Sequence, residues 1–341
     1  MLRAIPVREA VGSVLCHDVT RIVPGGFKGP AFRKGHLIRA EDIPKLLEIG
    51  KEHIFVLDLE PGTIHEDEAA QRISRAAAGP GIRATSVSEG KVNLAADYSG
   101  LLKVESEGLQ RINAIEGVAF ATLHSNQPVR GDSLVAGTRI IPLVVEERRI
   151  ARVEEICRHY HPIIQVKPFR PWKVGMVTTG SEIYHGRIAD RFGPVVRQKF
   201  AEFGSQVFEQ VFVSDDPTLT ASAIRRLIAQ GADMVVATGG MSVDPDDQTP
   251  GSIRAAGGEV VVYGAPAFPG AMFMLAYIGT VPILGLPGCV MYSRTTIFDL
   301  IVPRLLAEDS VSRQDIVALG HGGFCAACEE CRYPRCAFGK T

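Results

Sequence analysis

The chain has 341 residues, 46% apolar and 22% charged, with a formal net charge of -1. That length holds two or three domains with cores of their own, and the near-neutral balance excludes a nucleic-acid or acidic-membrane surface as the main partner. Residues 1–11 carry Arg3, Arg8 and Glu9 and lack the continuous apolar run of a secretory signal, so a cytoplasmic location is expected.

Residues 1–60 read as a small α+β unit. Pro24 to Gly29 is a turn-rich loop, Glu41 to Ile49 has helical spacing that stops at Gly50, and Ile54 to Leu57 is a short strand. His36 and His53 stand singly there and read as structural. After Pro61-Gly62, the run from His65 to Ile73 begins a helix. Its acids Glu66, Asp67 and Glu68 sit in the first turn, where the helix dipole favours them, and that explains them without a metal. Short β-like runs (Lys91 to Leu94, Val118 to Leu123, Arg139 to Val145) and a helix from Ile150 to His161 complete a second α+β domain over 61–165 with no evident catalytic constellation. Pro162, Pro168 and Pro171 mark a linker.

From 172 onward strand and helix alternate. Strands are expected at Lys173–Val177, Gln206–Val213, Met234–Ala237, Glu259–Tyr263 and Val281–Leu284, and helices at Gly193–Phe203, Leu219–Ala229, Thr249–Ala256 and Met291–Leu306. The fold class this implies is α/β: a three-layer α/β/α domain over 172–308 built on a mostly parallel sheet, with its ligand beyond the carboxyl ends of the strands. The charge-free run Val260 to Ser293 is long enough to cross a bilayer. Its prolines and glycines break it repeatedly, and it reads as buried strands and a helix, not a membrane span.

The residues that could carry chemistry fall at the strand exits: Thr178 to Glu182, Asp215 to Pro217, Thr238 to Gly240, and Leu286 to Gly288. The stretch from Asp233 to Pro250 is the densest. Gly239, Gly240 and Ser242 offer backbone N–H groups and a hydroxyl without bulk, and Asp244, Asp246 and Asp247 add three carboxylates within four residues. Glycine loops let a backbone approach phosphate, and carboxylates are the hard oxygen ligands that Mg2+ prefers.

These residues resemble the molybdopterin-binding domain shared by molybdopterin adenylyltransferases, molybdopterin molybdotransferases such as the corresponding part of gephyrin, and competence-damage-type proteins. The resemblance covers about 172–305 and is carried by Thr179-Gly180-Ser181-Glu182, by Gly186, Ile188 and Asp190, by Asp215-Asp216, by Thr238-Gly239-Gly240-Met241-Ser242-Val243 with Asp247 and Thr249, and by Leu286-Pro287-Gly288. It implies a pterin dithiolene phosphate, adenylylated in some states, held by these segments, with Asp247 as the essential acid, helped by Asp244 or Glu182 in holding Mg2+. It further implies a molybdotransferase-like role with molybdate or tungstate and a recipient apo-molybdoenzyme. A carrier without a reaction of its own and a nucleotide pyrophosphatase are the alternatives, and a homo-oligomer is compatible with each. The first half of the chain resembles the auxiliary domains of the molybdotransferase branch. The chain departs from the family pattern at Arg191 and Phe192, where serine and asparagine are usual. Asp244 replaces a glycine, Phe268 a lysine and Cys289 an asparagine.

Cys16, Cys157 and Cys289 stand alone and read as small buried apolar residues. Beyond Gly320 to Gly323, Cys325, Cys328, Cys331 and Cys336 follow the spacing C-x2-C-x2-C-x4-C. In a reducing compartment four thiols so close together suit metal ligation better than disulfides. The run is near the compact ferredoxin pattern, and a tetrahedral zinc site fits as well, so the tail at 320–341 is expected to hold an iron–sulfur cluster or Zn2+.

Overall fold

The computed structural model describes residues 2–22, 28–57, 61–245 and 247–340; most of the Pro24–Gly29 loop, and Asp246, lie outside the described residues. The chain forms two compact units. One comprises Met1–Asp97, Val104–Leu123 and Gly131–Val166, and the other Tyr98–Lys103, His124–Arg130 and Lys167–Thr341.

In the first unit, strands Leu2–Pro6 and His53–Leu57 pair antiparallel around a core of Val7, Leu15, Ile38, Leu46 and Ile54. The helix expected from His65 runs from Glu66 to Ala77. Its buried stripe of Ala69, Ala70, Ile73 and Ala77 has the i, i+4, i+8 spacing of one helical face. His65 Nδ1 accepts from the Asp67 N–H at 3.1 Å while Nε2 donates to the Cys16 carbonyl at 2.8 Å, so His65 is a helix cap locked in one tautomer. The helix packs with Glu147–His159 over an antiparallel sheet of Ile82–Ala84, Lys91–Ala96, Leu134–Ile140 and Val118–Thr122. An Arg72 to Glu154 fork at 2.8 and 2.9 Å ties the two helices together.

The second unit is built on a six-stranded sheet. Its strands are β1 (Lys173–Thr179), β2 (Gln206–Val213), β3 (Met234–Thr238), β4 (Glu259–Tyr263), β5 (Met274–Ile278) and β6 (Val281–Leu286), in the spatial order β2-β1-β3-β6-β5-β4. The first four in that order are parallel, and β5 and β4 continue antiparallel. The helices are α1 (Ser181–Tyr184), α2 (Phe192–Ala201), α3 (Pro217–Ala229), α4 (Thr249–Ala255), α5 (Ile297–Leu306) and α6 (Arg313–Ala318). All five residues of β3 are buried. Met234 and Val236 pack with Val196, Phe200 and Phe298 on one face, and Val235 and Ala237 with Ile224, Leu227 and Ile253 on the other. That two-sided burial is why a central parallel strand reads as an unbroken apolar run, and it makes the expected three layers. Gly175 on β1 lets α3 approach, since a Cβ there would stand 2.9 Å from Leu227 Cβ.

Two expectations change. The charge-free run 260–293 contains an additional strand, β5, so the sheet has an antiparallel hairpin edge. The helix expected from Met291 begins only at Ile297, behind a 3-10 turn at Gly288–Met291; Thr296 caps it, its Oγ1 accepting from Phe298 N–H at 3.2 Å. No helix among the described residues is long and apolar enough to cross a membrane.

The tail folds onto this second unit. The Phe268 N–H donates to the Gly323 carbonyl at 2.7 Å and the Cys325 N–H to the Phe268 carbonyl at 2.8 Å. Tyr333 Oη donates to the Asp299 carbonyl at 2.8 Å, and Phe338 is buried in the sheet's core.

Candidate functional site

The loops that leave β1, β2 and β3, the start of α2 and the turn after β6 surround an open cavity of about 880 Å³ at the carboxyl edge of the parallel strands. Position follows from topology, because adjacent parallel strands that send their helices to opposite faces leave a crevice at that edge. Its polar wall consists of Thr179, Gly180, Glu182, Asp215, Gly239, Gly240, Asp244 and Asp247, and its apolar wall of Ile183, Ile188, Ala189, Phe192, Pro245 and Met291, with Arg191 beside them.

The glycine turn after β3 exists because no other residue fits. Gly239 has φ +84°, and a Cβ on it would stand 2.3 Å from the Thr179 carbonyl oxygen. Thr249 then fastens the turn. Its Oγ1 donates to the Gly239 carbonyl at 2.8 Å and its N–H to the Gly240 carbonyl at 3.1 Å, while Thr179 Oγ1 lies 3.2 Å from Thr249 Oγ1. Below it the Thr238 hydroxyl donates to Thr178 Oγ1 at 3.0 Å. Further along the loop the Asp247 carboxylate accepts from the Asp244 N–H at 3.1 Å and the Asp247 N–H donates back to the Asp244 carbonyl at 2.9 Å, holding the two acids on one small turn.

Seven of the expected residues therefore share the cavity: Thr179, Gly180, Glu182, Gly239, Gly240, Asp244 and Asp247. Others support it from behind. Asp190 accepts from the Phe192 N–H at 2.8 Å, from the Gly193 N–H at 3.0 Å and from Gln210 Nε2 at 2.7 Å, which makes it the brace of α2. Thr238 and Met241 are buried beneath the loop, with Met241 packed against Gly285. Ser242 is exposed outside the lining, and Pro287 and Gly288 shape the turn that delivers Met291 to the wall.

Asp216 is a correction. Its carboxylate caps α3, accepting from the Thr218 and Leu219 N–H groups at 2.7 and 3.2 Å, and the neighbouring Asp215 faces the cavity instead, accepting from the Ser181 N–H at 2.8 Å. Which of two adjacent acids caps a helix depends on where the helix starts, and Pro217 at the first helical position makes Asp216 the cap. Asp215, named with Asp216 in the motif, and the departures Arg191 and Phe192 line the cavity, as does Met291, which motif reading passed over. For Arg191 a signal existed, since it stands where the family pattern has serine. Cys289 is half-buried; burial pushes its thiol up against the backbone hydrogen bonds that oppose the shift, which favours the protonated form.

The tail cysteines are not gathered as expected. Cys328 and Cys331 are exposed, Cys325 and Cys336 are half-buried against the core, and Cys331 Sγ lies 3.2 Å from Thr295 Oγ1. Among the described residues no group of three or more His, Cys, Asp or Glu side chains is placed to hold a metal ion, in the tail or at the sheet edge.

Residues 175–307 match the family described as "Probable molybdopterin binding domain", and residues 4–58 match a domain of unknown function, DUF8806. A CinA-like protein of Mycobacterium sp. (strain MCS) is 32% identical over 91 residues, 26% of this chain, and a CinA-like protein of Mycobacterium tuberculosis (strain H37Rv) is 32% identical over 77 residues, 23% of this chain. The chain spans 22% and 18% of those relatives' own lengths. Among solved structures, the molybdopterin biosynthesis enzyme MoaB from Thermus thermophilus is 18% identical with a TM-score of 0.33, covering 40% of this chain and 98% of that one. The tungsten cofactor synthesizing protein MoaB from Pyrococcus furiosus is 22% identical with a TM-score of 0.29, covering 36% of this chain and 84% of that one. The segment 175–307, which builds the sheet edge and its cavity, belongs to the molybdopterin-binding domain family.

Proposed function

We propose that the sheet-edge cavity binds molybdopterin, free or adenylylated, and that the protein acts in molybdenum or tungsten cofactor biosynthesis in the manner of a molybdopterin molybdotransferase. The observation that carries this reading is the glycine turn at Gly239 and Gly240 lining one cavity together with Glu182, Asp244 and Asp247 at the carboxyl ends of parallel strands. The apolar wall of Ile183, Ile188 and Met291 suits the flat face of a pterin, and the N–H groups of the glycine turn suit phosphate oxygens.

Asp247 and Asp244, with Glu182 opposite, are the hard oxygen donors that would hold Mg2+, which when bound supplies charge neutralisation to a phosphoanhydride. In this reading Asp247 also orients the attacking oxygen, and the Asp244 N–H fixes its carboxylate. Incubation with adenylylated molybdopterin, molybdate and magnesium tests it: AMP release supports the transferase, and Asp247→Asn should abolish release while keeping the fold. Release by Asp247→Asn at the parental rate would remove Asp247 from its role. Tight binding without AMP release selects a carrier that hands cofactor to an apo-molybdoenzyme, a reading motivated by the departures at Arg191, Phe192, Phe268 and Cys289. Hydrolysis of ADP-ribose selects a nucleotide pyrophosphatase.

For the tail we infer a second, separate site, in which Cys325, Cys328, Cys331 and Cys336 take up an iron–sulfur cluster or Zn2+. Their spacing favours it, and uptake of the metal would have to draw together thiols that are not gathered among the described residues. Protein prepared without oxygen should carry iron with acid-labile sulfide, or zinc without sulfide, and a metal-free preparation would dismiss the site.

A further inference from the structure

We propose that Arg191 recognises the phosphate of the ligand in the sheet-edge cavity and so distinguishes phosphorylated pterin from its dephosphorylated form. This rests on reading that cavity as the molybdopterin site.

Outside the glycine turn, four backbone donors at this edge are already taken, each by a carboxylate of the chain itself. Ser181 N–H donates to Asp215 at 2.8 Å, Phe192 and Gly193 N–H to Asp190 at 2.8 and 3.0 Å, and Asp244 N–H to Asp247 at 3.1 Å. Electrostatics point the same way. Glu182, Asp215, Asp244 and Asp247 line the cavity, and Arg191 is the one cationic side chain among its described lining residues. A phosphate bearing ~1.5–2 negative charges would meet repulsion from every charged lining group except Arg191.

The position of that arginine is fixed at its root. Asp190 before it is held by three hydrogen bonds, and Phe192 after it is buried in the sheet's core. The guanidinium itself is exposed and, among the described residues, has neither a hydrogen bond nor an ion pair. A planar fork anchored this way and left without a carboxylate matches two phosphate oxygens at once, which a lysine ammonium cannot reproduce.

The test titrates two probes, molybdopterin released anoxically from a molybdoenzyme and the same pterin after phosphatase treatment, into the parent, Arg191→Gln and Arg191→Lys. Arg191→Gln should weaken the phosphorylated pterin by about tenfold to a hundredfold, the worth of a charge-assisted phosphate contact, and leave the dephosphorylated form as in the parent. Arg191→Lys should recover part of the loss, and added salt should shrink the difference between the two probes in the parent. Equal affinities in Arg191→Gln and parent, or an equal loss for both probes, would overturn the assignment. A parent that binds neither probe overturns the reading of the cavity and the assignment with it.

Discussion

The Ser181 N–H donates to the Asp215 carboxylate at 2.8 Å, so the turn after β1 is closed by an acid from the loop after β2. The acid stands where a phosphate oxygen would otherwise be received. Asp215→Asn keeps an oxygen acceptor for Ser181 and removes the charge. Affinity for inorganic pyrophosphate, titrated without divalent cation, should then rise about fivefold, since removing one like charge at a half-exposed site is worth about 1 kcal/mol. A fall in affinity would instead make Asp215 a donor to a bound cation.

Gly239→Ala should damage the site and the domain together. The new methyl would lie 2.3 Å from the Thr179 carbonyl oxygen on a backbone at φ +84°, and a rigid carbonyl cannot give way. A loss of about 1–3 kcal/mol is expected, with weakened ligand binding. Trp172, the single tryptophan, packs against the sheet's core and reports the unfolding transition by fluorescence.

Much of this edge was legible before the structure, for physical reasons that differ between residues. Met234 to Ala237 had to be a central strand because an unbroken apolar run of that length needs cover on both faces, and the turn after it had to be glycine because of the Thr179 carbonyl. The strand Met274–Ile278 was hidden, because in a charge-free run no polar residue marks the alternation between faces. The division of labour between Asp215 and Asp216 was hidden as well, since both acids precede the same helix and only the backbone geometry at Pro217 separates them. Arg191 was visible as a departure from a pattern, yet its use became clear only when the neighbouring N–H groups proved to be occupied.

Asp309 should make the second unit acid-sensitive. It is about one-tenth exposed and accepts from Lys103, Lys167 and Arg304, each at 2.9 Å. Burial alone would raise its carboxyl, but the hydrogen bonds from Lys103 and Lys167 outweigh burial and hold it at about 2, below the ordinary 3.8. A folded-state value below the unfolded one means that the stabilisation is complete above about pH 4 and is lost as pH falls from there through about 2. Asp309→Asn leaves Lys103 and Lys167 without a carboxylate and Arg304 with Asp315 alone, and should cost about 3–5 kcal/mol at pH 7. Denaturation followed at Trp172 should show the parent losing stability across that acid window and the variant showing a flatter profile. Parallel profiles would clear Asp309 of the effect.

The tail joins the domain by two kinds of contact, and they should separate on mutation. Phe338 is 3% exposed within the core that includes Leu300, and a Cβ on the next residue, Gly339, would stand 2.3 Å from Leu300 Cδ2, so the end of the chain is packed into the domain. Cys328 and Cys331 are exposed and contribute little to that packing. Phe338→Ala removes a buried aromatic and should destabilise the unit by about 3–5 kcal/mol whether or not a metal is present. Replacing Cys325 and Cys328 together by serine should leave the Trp172 transition and pterin affinity close to the parent's while removing any bound iron or zinc. The comparison is made on protein purified without oxygen, with metal content, denaturation midpoint and pterin titration measured on each variant. If the double serine variant unfolds as early as Phe338→Ala, the cysteines hold the fold and the two contacts are not separable; if it loses pterin affinity with an unchanged midpoint, the tail and the sheet-edge cavity are coupled.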